Sequence, residues 1–164
     1  QAAPPPLDKE SLAEAEEALG FRLPPLLRRV YLQVANGGVG PAGGLLPLID
    51  DGRPRDADAY VGEPAVELYE VFRLEDPEYP AWSWPEKLLP FNEWGCGILS
   101  CIDCSSPEGA VWTFDPHMLG DEERTSDALA LTHSSLREWL TDWLAGVDMW
   151  ELMYEDDGMK LRGL

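Results

Sequence analysis

The spacing of apolar residues changes twice along this chain, and that change limits its fold more than any other feature. Up to Val34 the apolar side chains recur at helical spacing: Leu12, Ala15 and Leu19 first, then Leu27, Val30, Tyr31 and Val34 at i, i+3, i+4 and i+7. Between Leu88 and Leu131 they come in short runs of strand length, one of which alternates between two faces. After Ser135 the helical spacing returns in Leu136, Trp139, Leu140, Trp143 and Leu144. Helices, then strands, then a helix predict an α+β fold: a central, mostly antiparallel sheet flanked by N-terminal helices and a C-terminal helix. At 164 residues the chain is expected to form a single domain over 1–164.

Local signals set the boundaries. Residues 1–6 are small and Pro-rich and read as a flexible arm. A first helix is expected over Leu7 to Leu19, stopped by Gly20. Leu23-Pro24 opens a second, and Asn36-Gly37-Gly38 ends it by accepting the left-handed backbone of a C-cap. Leu45 to Ile49 reads as a short buried strand. Glu63-Pro64 starts a third helix, carrying Val66, Tyr69 and Arg73 with Leu68 and Phe72 to about Leu74. Glu75 to Glu86, with three prolines and two tryptophans, is an irregular loop. Strands follow over Leu88 to Trp94, Gly97 to Asp103, Ala110 to Asp115 and, as a short edge, Ala128 to Leu131. Ser105 to Gly109 supplies hairpin-loop chemistry, and Asp121 to Asp127 is a charged loop. Ser135-Leu136-Arg137-Glu138 is a capping box at the head of the last helix. The tail from Glu155 to Leu164 is expected to fray.

Charge decides which partners are compatible. Twelve basic residues stand against 31 acidic ones, a net charge of −19. Up to Ile49 there are 4 basic and 5 acidic residues, so the remainder carries 8 and 26 and nearly all of the imbalance. A surface this acidic repels phosphate backbones and anionic membranes, which excludes direct nucleic-acid and membrane binding, and it steers cationic proteins inward. No apolar run approaches the roughly 20 residues of a membrane helix. No basic-then-apolar leader is read in the chain, and three cysteines, an odd number, point to a reducing compartment, so the expected location is the cytoplasm.

Catalytic chemistry finds no anchor. Cys101-x-x-Cys104 has ligand-like spacing, with Cys96 before it and His117 after it, but there is no second such pair, and Cys101 sits in an apolar run that reads as core strand. Packing as buried, reduced thiols accounts for these cysteines, and neither metal nor other cofactor is expected. His133 beside Ser134 is the entry to a capped helix rather than a nucleophile–base pair. Nucleophile-elbow and phosphate-loop motifs are missing, and carboxylate pairs are too common in so acidic a chain to single any out.

Several segments, taken in order, resemble the SUKH superfamily, also called the cell-wall-assembly regulator family. These are Glu16…Leu19-Gly20…Leu23-Pro24, then Asn36-Gly37-Gly38, Leu89-Pro90-Phe91…Trp94-Gly95-Cys96-Gly97…Ile102-Asp103, and Ser135-Leu136-x-Glu138-Trp139-Leu140-x-x-Trp143. The resemblance spans Leu7 to Val147; the acidic stretch from Asp50 to Glu86 departs from it. It implies an α+β fold and a non-enzymatic, protein-binding role: an immunity protein that neutralises a cognate bacterial toxin, with a regulatory or scaffold module for a cellular partner as the alternative. A basic nuclease cleft would suit the acidic surface. Independently of the family, tryptophans in loop-like positions amid carboxylates place the binding face on Asp50, Asp51, Glu75, Asp76, Glu78, Trp82, Trp84, Glu86, Glu93 and Trp94, away from the nearly neutral N-terminal helices with Arg28 and Arg29.

Overall fold

The computed structural model describes residues 3–50, 52, 62–158 and 160–163. Its elements run α1 (Lys9–Leu19), α2 (Pro25–Gln33), α3 (Ala65–Phe72), β1 (Leu88–Gly95), β2 (Ile98–Asp103), β3 (Val111–Phe114), β4 (Leu129–His133), α4 (Leu136–Leu144) and α5 (Met149–Met153). The four strands pair in sequence order, every neighbour antiparallel. This is the α+β arrangement that the spacing predicts. Among the described residues no helix is long and apolar enough to cross a membrane.

The helix ends follow from their side chains. Asp8 caps α1 by accepting from the Ser11 amide at 2.7 Å, and that bond holds its carboxyl below the usual carboxylate range. Gly20 ends α1 at φ +78°, a backbone state that costs a Cβ-bearing residue about 1–2 kcal/mol. Ser135 caps α4 through the Glu138 amide at 3.1 Å, as the capping box predicts. The return bond goes one residue further out, with Glu138 accepting from the amide and hydroxyl of Ser134.

One core joins the N-terminal helices, the sheet and α4. Leu12, Leu27, Phe91, Ile102, Val111 and Trp139 are all within it. Glu16 ties α1 to α2: its carboxylate accepts from the Leu23 amide at 2.9 Å and pairs with Arg28 at 3.0 Å. Half of the Glu16…Leu23-Pro24 signature is therefore a helix–helix clasp.

Asn36 differs from its predicted role. α2 ends at Val34 in a right-handed conformation, and Val34 is exposed. Asn36 is 1 % exposed, and its side chain bonds the next segment, with Oδ1 accepting from the Leu48 amide at 2.8 Å and Nδ2 donating to the Ile49 carbonyl at 3.1 Å. It is a clamp, and the positive φ is left to Gly37 and Gly38. A Cβ on Gly37 would stand 2.7 Å from the Pro47 nitrogen, so only glycine admits the clamped segment so close.

Leu45 to Ile49 is correspondingly not a strand. Only Leu45 forms a bridge, to Asn92 of β1, because Gly44 and Pro47 interrupt the ladder on either side. The segment still lies along the outer edge of β1: Leu46 donates to the Phe91 carbonyl at 2.8 Å and Glu93 donates to that of Gly44 at 3.4 Å. β4 forms the opposite edge of the sheet.

Both ends are more tied than their composition suggests. Pro5 accepts from the Asn36 amide and Leu7 donates to the Tyr31 carbonyl. At the other end Tyr154 bridges Leu161, and Met153, Tyr154 and Leu161 form a second small cluster with Trp94, Met118 and Ala130 packed on it. The buried Asp115 holds this cluster down, accepting from the Tyr154 hydroxyl at 2.8 Å, while its other oxygen accepts from the His117 amide.

Candidate functional site

The loop between α3 and β1 folds onto an aromatic cluster. Phe72 ends α3, Trp82 and Trp84 come back from the loop, and Phe114 rises from β3; their ring centroids lie 4.6–5.9 Å apart. Trp84 is 1 % exposed and donates from Nε1 to the Leu88 carbonyl at 2.7 Å. It is a core residue and leaves the predicted binding face. Burial in an irregular loop was not readable from spacing, because its ring partners come from Phe72 and Phe114, on separate elements. Trp82 is half-buried, and its Nε1 donates to the Phe72 carbonyl at 2.8 Å, so one face of the indole is fixed in the wall of a surface groove.

That groove has a volume of about 420 Å³ and runs between the end of α3, the 74–82 turn and the loop after β3. Its apolar walls include Val71, Leu74 and Tyr79, which are 55 %, 67 % and 46 % exposed. Asp76 and Glu123 stand among the lining residues. Sequence reasoning named Asp76 and Trp82 but missed Val71, Leu74, Tyr79 and Glu123. The available signal was Val71, an apolar residue left off the helix stripe of Val66, Tyr69 and Arg73.

The remaining predicted residues divide among neighbourhoods. Glu75 and Glu78 lie exposed on the turn beside the groove, and Glu86 pairs with Arg73 at 3.5 Å. Trp94 donates to the Ser100 hydroxyl at 2.8 Å and packs edge-on against Trp150, next to the C-terminal cluster. Glu93 precedes it in β1 opposite Leu99. Asp50 is exposed beyond Ile49 and accepts from the Gly52 amide, and Asp51 lies outside the described residues. Of the predicted face the groove therefore takes in Asp76 and Trp82, with Glu75 and Glu78 beside it, while Glu93 and Trp94 sit by the tail.

The thiols do not converge. Cys101 is fully buried in β2 and Cys104 is partly buried, which pushes both thiols up and keeps them protonated, whereas Cys96 is exposed. Among the described residues no group of three or more His, Cys, Asp or Glu side chains is placed to hold a metal ion. His133 is buried at the β4–α4 junction, 3.4 Å from Asp142; burial lowers its pKa, against the pull of Asp142 and Glu138.

A family model, described as the SMI1/KNR4 family (SUKH-1), matches residues 6–142. The chain belongs to this family. The match begins just before α1 and ends within α4, so the SUKH-1 region takes in the clasp of Glu16, the clamp of Asn36, the whole sheet and the groove. α5 and the C-terminal cluster lie beyond it. No curated protein and no solved structure matches the chain closely enough to be compared with it.

Proposed function

We propose that this SUKH-1 chain is a cytoplasmic immunity protein that binds a cognate bacterial toxin and covers its cationic active site. Members of the family are in general non-catalytic immunity or regulatory proteins, which supports a protein partner. The observation that carries the reading is the apolar groove flanked by Asp76 and Glu123, with Glu75 and Glu78 beside it, on a chain of net charge −19. A nuclease must hold phosphate, so its cleft is basic. Carboxylates placed there compete for the same cations, and the apolar walls supply contact area that water-exposed ion pairs do not. The test is to purify the product of the neighbouring gene and measure its toxic activity with and without this chain. Stoichiometric protection is expected, with an association rate that falls as salt rises past about 0.1 M, where screening shortens to ~10 Å. A neighbouring toxin that is neither bound nor blocked overturns the reading. Recovery of a cellular protein from the native host, with no toxin, replaces it with the regulatory one.

A further inference from the structure

We infer that the groove between α3 and the 74–82 turn takes an extended segment of the partner that presents a large apolar side chain flanked by lysine or arginine. This rests on the protein-binding reading above and adds where the partner docks and what it must present. The walls supply the apolar half of the argument. Val71, Leu74 and Tyr79 stand in water around a cavity of about 420 Å³, within the size range of sites that hold a ligand group. The wall is preformed, because the Trp82 indole is held by its bond to the Phe72 carbonyl and by edge contacts to Phe72 and Phe114. An arriving side chain meets a surface that needs no reordering.

Charge supplies the other half and chooses the occupant. Among the described residues neither Asp76 nor Glu123 is paired with a cation. The nearby arginines are already engaged. Arg73 donates to the Trp84 carbonyl at 2.6 Å and pairs with Glu86, and Arg124 pairs with Glu122. The groove is thus apolar inside and anionic at its margin, with the exposed Tyr79 ring available to a cation. A second copy of this chain, itself at −19, would bring like charge to that margin, and a phosphate-bearing ligand would do the same.

The probe is a capped hexapeptide, Arg-Lys-Leu-Phe-Lys-Arg, titrated into the intact protein while the Trp82 indole resonance is followed by NMR; comparison with Trp82→Phe assigns that resonance. Two control peptides replace Leu-Phe by Gly-Gly, or the four basic residues by Glu. A saturable shift at Trp82, Leu74 and Tyr79 is expected with the first peptide. Binding at least about tenfold weaker is expected with either control and with the exposed-site variant Leu74→Asp, as for loss of one anchor. The double variant Asp76→Asn/Glu123→Gln, which keeps the walls, should also weaken binding and flatten its salt dependence. Equal binding of the Gly-Gly peptide overturns the proposal, as does a shift map that avoids the groove. Self-association in sedimentation that Leu74→Asp abolishes would give the groove to a second copy and also overturn it. None of these readouts uses a toxin, so they stand whether or not the immunity reading does. A toxin neutralised equally well by Leu74→Asp would overturn the groove and leave immunity intact.

Discussion

Replacing Asn36 by glycine separates two incompatible accounts of one residue. If Asn36 were a helix stop, glycine would serve there at least as well, since it adopts left-handed backbone without a Cβ penalty. In the structure Asn36 is a clamp, and Asn36→Gly removes both of its bonds. The Leu48 amide loses its acceptor in the fully buried part of the chain, at a cost of ~1–3 kcal/mol. The Ile49 carbonyl, only part-buried, loses a donor that water can partly replace, at ~0.5–1.5 kcal/mol. Extra backbone freedom in the unfolded chain adds ~0.5–1 kcal/mol. The total is about 3 kcal/mol, and for a chain of this size it should lower the melting temperature by about 6–12 °C. Urea unfolding followed by tryptophan fluorescence should show the midpoint falling by about 1–2 M, for a slope of about 2 kcal/mol/M. Asn36→Ala should fall nearly as far, which removes glycine's flexibility as the cause. A midpoint within about 0.2 M of wild type for both variants would refute the clamp.

Two further outcomes can be checked on the same instrument. Burial lowers the pKa of His133, so below about pH 6.5 the unfolded chain takes up a proton before the folded chain does, and stability present above that pH is lost as pH falls. His133→Gln should flatten the fall in urea midpoint between about pH 7 and 5.5, a window above the carboxylate range that includes Glu138; equal slopes would remove His133 as the cause. Ser135→Ala, which strips the cap from the Glu138 amide, should cost about 1 kcal/mol, and an unchanged midpoint would mean that Ser134 and Glu138 hold the helix start without it.

The elements that sequence reasoning located are those whose signal is local. α1 with its Gly20 stop, α4 with its capping box, and the β2–β3 hairpin each rest on side chains within a few residues of one another. What it mislocated depends on contacts across the fold. Asn36 looks like a stop because Asn-Gly-Gly is stop chemistry, yet its hydrogen bonds lie 12 and 13 residues further on. Leu45 to Ile49 has the composition of a strand, but a strand needs a ladder, and only Leu45 finds one. Trp82 and Trp84 are two residues apart in the same Pro-rich loop, and one walls a groove while the other is sealed beneath it. Of the predicted binding face, the charge was readable because charge is additive over the chain. The apolar walls were not, because Val71, Leu74 and Tyr79 are exposed by what fails to pack over them.

The segment laid along β1 also sets how copies of this protein could join through their sheets. Leu45, Leu46 and Gly44 occupy backbone groups on the outer side of β1 that would otherwise accept another strand. β4, five residues long, is left as the only strand edge with no neighbour among the described residues. Sheet growth by addition needs two open sides on every unit. A unit with one can meet a second copy β4 to β4, and that pair then offers nothing further to extend from. Among the described residues, edge pairing of this sheet therefore stops at two chains instead of running on into a filament, and the segment that caps β1 runs straight into Leu48 and Ile49, which Asn36 clamps.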